Sequence, residues 1–515
     1  MSQFQREQKT MKLITTQFLL VLLLGGIFVT HAQAEDLPNI VLLMGDDHGW
    51  DEVGYNGHPH LKTPVLDEMA AIGLQFDRFY AAHPSCSPTR GSVLTGRHPN
   101  RYGTFTPGFS FRPEEITIAQ LLKTKGYVCG HFGKWHVGPV KSDSPTNPGK
   151  MGFDEWLSHD NFFELNPVLS ANGAAPKKIA GESSEILVAA ASKFIAKAKR
   201  NDKPFFVVIW YGSPHEPYSG LPKDLALYDD LPEKYNDKSF RLTSNETGRP
   251  TTRPLGDILR ERYAEITAMD RSIGQLRDFL DAKKLRDDTL LWYCGDNGTP
   301  GDGIVTSPLR GRKSQMYDGG IRVPGVIEWP ARIKTPLVSQ LNSVTSDILP
   351  TLCELVGIDL PQRELDGLSL TGTFDGTLKQ RPVPIFFWQY NVGGDKQREP
   401  WIPGPLQIGT TPLVKMMGNV YTRTFKNFKH PKIVASDYGG SRVVLADDFK
   451  LVVAGDGASL KAQLFKVPDD VAEKNDIAAE NPEVVRGMLE QLRKWQTSVL
   501  TSLTGAEYKP TANTK

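Results

Sequence analysis

The chain has 515 residues, and its 60 Lys and Arg almost balance its 59 Asp and Glu, for a formal charge of +1. That balance excludes a global field drawing the protein to nucleic acid or to an anionic membrane, so any attraction for an anion has to be local. The length predicts one large domain with a smaller one, and 39% hydrophobic with 23% charged residues is the composition of a globular chain.

The N-terminal segment reads as an export signal. Lys9 and Lys12 precede an apolar run from Leu13 to Val29, and Ala32-Gln33-Ala34 supplies a small-x-small cleavage pattern. Gly25-Gly26 interrupts the run, which favours removal over a membrane anchor. The expected organisation is a signal peptide over 1–34, a catalytic domain over 35–378 and a C-terminal α+β subdomain over 379–515. The protein is then exported, periplasmic or secreted, with no stable membrane insertion after cleavage.

Pro38 to Met44 is a continuous apolar run ended by Gly45, the pattern of a buried parallel strand. A helix is predicted from Pro64, with Val65, Leu66, Met69, Ala70 and Ile72 on one face and Gly73 as its stop. Further strands are predicted at Tyr127 to Phe132, Phe205 to Trp210 and Leu290 to Cys294. Helices at Ile116 to Thr124, Ser184 to Ala198 and Asp257 to Leu280 separate them, the last with Ile258, Tyr263, Ile266, Met269, Ile273, Leu276 and Leu280 at helical spacing. Strand alternating with helix predicts an α/β fold, a large, mostly parallel sheet flanked by helices.

After about residue 375 short β-type segments, such as Ile385 to Trp388, Val443 to Leu445 and Lys450 to Val453, lead to a terminal helix from Pro482 to Leu500. Ser142 to Gly149 and Asp229 to Pro254 read as long polar loops, the second containing the glycosylation match Asn245-Glu246-Thr247. Four cysteines are too few for a disulfide framework in so long an exported chain. Cys129, Cys294 and Cys353 lie in apolar segments and are expected to be buried and inert. Cys86 falls in a polar stretch with Pro on both sides, which reads as a loop presenting a used cysteine.

The first candidate site is the strand end Gly45-Asp46-Asp47-His48-Gly49, since ligands in open α/β sheets gather beyond the carboxyl ends of strands. Adjacent carboxylates repel each other unless a positive charge holds them; a hard divalent cation answers that, and a solvated turn or helix cap is the alternative. A second strand end, Cys294-Gly295-Asp296-Asn297-Gly298, adds a carboxylate and an amide oxygen. Asp46, Asp47, Asp296 and Asn297 together form an all-oxygen set suited to Ca²⁺ or Mg²⁺ and unsuited to zinc. Asn297-Gly298-Thr299 is formally another glycosylation match, which a ligand role would make implausible.

The third element is Cys86-Ser87-Pro88-Thr89-Arg90, a C-x-P-x-R motif followed by Leu94-Thr95-Gly96. It resembles the signature of the type I, formylglycine-dependent sulfatases, arylsulfatase-like members of the alkaline phosphatase superfamily. Other segments match that family in order. Gly133-Lys134-Trp135-His136-Val137-Gly138 resembles its G-K-W-H-x-G segment, and Pro214-His215-Glu216-Pro217 its P-H-x-P turn. Gly311-Arg312-Lys313 with Tyr317 to Pro324 resembles its G-x-K and Y-E-G-G-x-R-x-P segments, Asp318 standing for the commoner glutamate. Leu464 to Asn475 is a looser match to its closing strand and turn, so the resemblance runs from about Pro38 to the chain end.

The resemblance implies an alkaline-phosphatase-like fold and a sulfuric ester hydrolase acting on sulfate monoesters. It implies that a formylglycine-generating enzyme converts Cys86 to an aldehyde. One Ca²⁺ per chain, with Mg²⁺ possible, would be held by Asp46, Asp47, Asp296, Asn297 and the modified Cys86. Arg90 would hold the nucleophile, and Lys134 and Lys313 would grip the sulfate. His136 would act as base on the sulfated intermediate and His215 as acid at the leaving oxygen. A plain serine would attack once and be trapped as its own sulfate ester, whereas a hydrated aldehyde expels sulfate and regenerates itself.

Two competing readings differ in class. A phosphate or phosphonate ester hydrolase of the same superfamily usually needs a second metal site rich in histidine, which this sequence does not offer. A glycan-binding pseudo-enzyme would be expected to have lost Cys86, a metal ligand or Lys313, and all are present. The expected substrate is a sulfated carbohydrate or, failing that, an aryl sulfate. Asn161 to Glu164, Trp210-Tyr211, Tyr218 and Trp388 to Tyr390 are candidates to line a sugar subsite or simply to pack.

Overall fold

The computed structural model describes residues 37–244, 249–392, 398–413 and 421–508. The expected signal peptide and the Asn245 glycosylation match lie outside them. Ten strands form one sheet: β1 Asn39–Gly45, β2 Leu74–Phe76, β3 Val128–Lys134, β4 Glu155–His159, β5 Val168–Ala171, β6 Lys177–Lys178, β7 Phe205–Trp210, β8 Thr289–Gly295, β9 Gly325–Glu328 and β10 Leu337–Ser339. Their order is β10-β2-β9-β8-β1-β7-β3-β4-β5-β6. The five central strands, β8 to β4 in that order, run parallel; antiparallel β9 and β5 flank them.

Every residue of β1 is buried, as a strand covered on both faces requires. Val41, Leu43, Val207, Ile209, Leu291 and Tyr293 share one core with helices α1 Pro64–Ile72, α4 Ser183–Arg200 and α5 Leu255–Ala282. Helices α2 Cys86–Thr95, α3 Ile118–Lys123 and α6 Ile348–Leu355 pack against one another as a second group. Helix α1 begins at a proline, and Asp270 of α5 accepts from Val65 N at 3.0 Å and Leu66 N at 2.8 Å, which satisfies two of its orphan donors.

The C-terminal part is a four-stranded antiparallel meander, β11 Ile385–Tyr390, β12 Gly440–Ala446, β13 Phe449–Ala454 and β14 Lys461–Lys466. Helix α7, Pro482–Leu503, covers one face through Met488 and Leu492 against Val444, Leu451, Val453 and Leu464. The other face packs Phe387, Val443, Leu445 and Phe465 onto Tyr80, Ile321 and Val344 of the large domain. A buried ion triad pins this joint: Lys450 Nζ lies 2.5 Å from Asp318 and 2.8 Å from Glu473. Residue 318 therefore supports the domain contact.

Several expectations change. Cys86 is not in a loop: it is the first residue of α2 and is buried. Pro88 fits the first turn of that helix, where its missing N–H would have had no intrahelical acceptor. The 229–254 stretch contains a hairpin, Ser239–Thr243 against Pro250–Pro254. Strands β2, β4, β5, β9 and β10 lack long apolar runs and escape a periodicity reading. All four cysteines are buried and free, so no disulfide forms. Among the described residues no helix is long and apolar enough to cross a membrane.

Candidate active site

Four parallel strands deliver the candidate residues to one end of the sheet. Strand β1 ends at Gly45 and releases Asp46 and Asp47; β8 ends opposite it at Gly295 and releases Asp296 and Asn297. Lys134 is the last residue of β3, two before His136, and His215 follows β7. Gly295 is required for the close approach, since a Cβ there would lie 2.0 Å from the His48 carbonyl. Asp47 (φ 63°) and His136 (φ 59°) both adopt the left-handed region that non-glycine residues rarely hold, a strain that clusters at functional sites.

Helix α2 faces these strand ends with Cys86, and with Arg90 one turn later. Arg90 donates to Asp296 Oδ2 from Nε at 3.2 Å and from Nη2 at 2.7 Å, and to the Lys134 carbonyl at 3.1 Å. Lys134 Nζ donates to Asp46 Oδ2 at 2.5 Å, and Lys313 Nζ to Asp47 Oδ2 at 2.6 Å. The Lys313 loop is tied to the site by Lys313 N on the Thr299 carbonyl and Ser314 N on that of Pro84. Cys86 Sγ stands 3.8 Å from Asp47 Oδ1. Contacts thus link Asp46, Asp47, Cys86, Arg90, Lys134, His215, Asp296, Asn297 and Lys313, with His136 two residues past Lys134.

Ligating atoms of Asp46, Asp47, Cys86 and His215 lie within 4.8 Å of one another. Asp296 stands behind them, one oxygen on Arg90 and the other accepting from Asp47 N at 2.9 Å. Asn297 spends its amide N–H groups on Asp47 Oδ1 and the Gly298 carbonyl, which leaves its own Oδ1 buried with no donor. Asp46 Oδ1 likewise accepts no hydrogen bond. Two buried, donor-less oxygens beside a second carboxylate fit a hard divalent cation, although Cys86 Sγ and His215 bring softer donors to the same cluster. The buried Asn297 is also out of reach of glycosylation.

Electrostatics separate the carboxylates. Burial pushes Asp46 up to about 7 against the pull of Lys134. Burial acts on Asp47 in the same sense, but Lys313, His215 and Lys134 overcome it and hold that carboxyl well below its usual range. Burial raises the Cys86 thiol far above its ordinary value, against Lys134 and Lys313, so the unmodified side chain stays protonated and is a weak nucleophile. Burial, then Lys134, Arg423 and Arg90, keep His136 neutral, and neither of its ring nitrogens has a hydrogen-bond partner. His215 is also held low, by burial first and with Asp47 opposing. Its Nδ1 pairs with the Glu216 carbonyl at 2.6 Å, the arrangement of an Nδ1–H tautomer, which turns Nε2 to Lys313 Nζ at 3.3 Å.

The sulfatase family model matches residues 38–358, more than half of the chain. The chain belongs to the sulfatase family. It is similar to human arylsulfatase A, 32% identical over 389 residues that cover 68% of this chain and 70% of that protein. It is also similar to mouse N-acetylgalactosamine-6-sulfatase, 30% identical over 420 residues, covering 72% and 73%. Among solved structures, Ps i-CgsB in complex with k-i-k-neocarrahexaose has a TM-score of 0.70 at 22% identity, covering 90% of this chain and 93% of that one, a likeness of fold. The protein is therefore a sulfatase, a hydrolase of sulfate esters.

This sulfatase has further residues at the site that motif reading missed. Arg262 of α5 is fully buried and donates to both Glu52 oxygens at 2.6 Å, to the Asp47 carbonyl at 2.7 Å and to the Pro214 carbonyl at 2.6 Å. One guanidinium thus holds the Asp47 turn and the His215 turn in register. Its signal was a charged residue on the apolar stripe of a helix, four after Ile258 and four before Ile266. Phe162 stacks on the His215 ring at 4.1 Å and 13° and so braces that imidazole. Of the other subsite candidates, Trp210 and Trp388 are packing residues, and Tyr211 and Tyr218 are buried too, Tyr218 donating to Asp302.

Proposed function

We propose that this sulfatase is exported and cleaves sulfate monoesters of sulfated carbohydrates through a formylglycine made from Cys86, with one Ca²⁺ or Mg²⁺ at the strand ends. The supporting observation is the cluster itself: Cys86 Sγ lies with Asp46, Asp47 and His215, and burial favours its protonated thiol. A protonated thiol is a weak nucleophile, and a hydrated aldehyde at the same position would supply an attacking oxygen. The similarity to N-acetylgalactosamine-6-sulfatase supports a sugar ester as substrate. The maturing partner is a formylglycine-generating enzyme, and the working division of the chain is a signal peptide to residue 34, a catalytic domain to 378 and a C-terminal subdomain beyond it.

Asp46, Asp47, Asp296 and Asn297 would hold the cation, which supplies Lewis acidity at the nucleophile when bound. Position 86, once remade, supplies a hydrated aldehyde. Arg90, fixed by Asp296, orients that side chain. Lys134 and Lys313 balance the charge of the sulfonyl oxygens. His136, with two unpartnered nitrogens, takes a proton from the diol to release sulfate. For His215 to act as acid at the ester oxygen, Nε2 must first take up a proton, and Lys313 Nζ, 3.3 Å away, is the group that donates toward that nitrogen.

Mass spectrometry of the peptide around Cys86 in active enzyme is expected to show loss of the thiol sulfur and gain of an aldehyde. Cys86→Ala is expected to abolish sulfate release while costing about 1 kcal/mol of stability, because it deletes one buried sulfur from a helix end. Fully active protein carrying only unmodified cysteine there would overturn the mechanism. Free-sulfate detection on a panel of sulfated mono- and oligosaccharides identifies the preferred ester.

A further inference from the structure

Among the described residues the cations around the site are paired, with one exception. Lys134 is matched to Asp46, Lys313 to Asp47, Arg90 to Asp296 and Arg262 to Glu52. Arg423 is only partly exposed, yet its guanidinium takes part in no hydrogen bond or ion pair among the described residues. A guanidinium drawn into a protein without a counter-charge is costly, and its five donors are left to be met by something else.

Its position is well defined. Arg423 lies on the short strand Thr422–Thr424, paired with Ile408–Pro412. Asp160, just past β4, anchors that pair by accepting from Thr410 N, Thr411 N and Thr411 Oγ1 at 2.6–2.7 Å. Two residues beyond Arg423, Phe425 meets the His136 ring edge-on at 6.4 Å. Lys426 N then bonds the Gly108 carbonyl at 2.9 Å, and Phe111 N bonds that of Val137, the neighbour of His136. Gly108 (φ 95°) makes room for the guanidinium: a Cβ there would come within 2.9 Å of Arg423 Nη2 and 3.5 Å of Cζ. The charge of Arg423 is felt at His136, and it in turn is influenced by Cys86.

We propose that Arg423 is a specificity residue that binds a second anionic group of the substrate, a carboxylate or a further sulfate, beside the ester being cleaved. This rests on the sulfate-ester reading of the site. The planar fork suits either anion bidentately, and the hairpin that carries it has no part in the strand-end chemistry. The reacting sulfate already has Lys134 and Lys313, so an additional unpaired cation on the His136 side is available for the rest of the substrate.

The test compares three substrates: a hexose with one sulfate ester, the same hexose with two, and a uronic acid with one. For Arg423→Gln, kcat/KM on a two-anion substrate is expected to fall by roughly 10- to 100-fold relative to the one-anion hexose, the size of one charge-assisted pair. The loss should sit mainly in KM, and Arg423→Lys should recover part of it. The arm whose ratio collapses tells carboxylate from sulfate. Thermal midpoints should not fall, since the side chain bonds nothing among the described residues. Equal losses on all three substrates, or no loss on any, would overturn the proposal. Sulfate release from none of them by the wild type would instead sink the reading beneath it.

Discussion

Gly45 and Gly295 stand opposite each other in register at the ends of neighbouring parallel strands, and the next residues of both chains turn into the same space. Asp46 and Asp47 thereby meet Asp296 and Asn297 although some 250 residues separate them, as in the 2.9 Å bonds from Asp47 N to Asp296 and from Asn297 to Asp47. The carboxyl ends of a parallel sheet gather ligands because every strand there releases its chain in the same direction.

That convergence predicts a metal requirement. Chelation is expected to remove activity, and Ca²⁺ or Mg²⁺ to restore it better than Zn²⁺, since the proposed ligands Asp46, Asp47, Asp296 and Asn297 offer only oxygens. Asn297→Ala removes one of the donor-less oxygens and should weaken cation affinity by roughly 10- to 100-fold or more, the range seen even for residues behind the first ligands. A titration of thermal midpoint against cation concentration reads this without turnover. Restoration by Zn²⁺ alone would favour a phosphatase-type centre.

The placement of His215 predicts a dependence on leaving group. A nitrophenolate departs without a proton and a sugar alkoxide does not. His215→Ala should therefore harm sugar sulfates more than nitrophenyl sulfate, by a factor of about 10² to 10⁴. Lys313→Ala removes a charge from oxygens common to both substrates and should harm them alike. Equal losses for the His215 variant would move the proton donor to Lys313, which lies 3.3 Å from His215 Nε2.

Buried neutral histidines predict loss of stability in acid. His98 is held at about 3 by burial, its Nδ1 accepting from Asn100 N while its ring meets Trp495 edge-on. Its folded value lies below the unfolded value of about 6.5, so between these limits the unfolded chain binds more protons. Its contribution is therefore complete above pH 6.5 and is lost as the pH falls toward 3. Between pH 7 and 5, wild type should lose about 2 kcal/mol more than His98→Gln in denaturant unfolding. Parallel pH profiles would show that His98 is protonated in the fold.

Much of the site was legible because its chemistry is written in short motifs at strand ends. Asp46-Asp47, Cys86 with Arg90, Lys134 with His136, and Asp296-Asn297 each lie within a few residues of a glycine or an apolar run. The central strands were equally readable, since burial on both faces forces unbroken apolar sequence. Cys86 is the exception: Ser, Pro and Thr around it have the local composition of a loop, and packing against α3 and α6 makes that segment a buried helix. The short edge strands were missed for a related reason, as their pairing comes from neighbours and not from their own pattern.

Local order along the chain was enough to specify the α/β alternation, the Cys86 motif and the carboxylate pairs, because each depends on residue type and spacing within one element. The tertiary structure alone decided which buried charges are satisfied. Arg262 reaches Glu52 and the Asp47 turn across 210 residues or more, Lys450 closes a triad with Asp318 and Glu473, and Arg423 has no partner among the described residues. The physical reason is that the cost of a buried charge depends on which atoms surround it, and sequence separation carries no information about that.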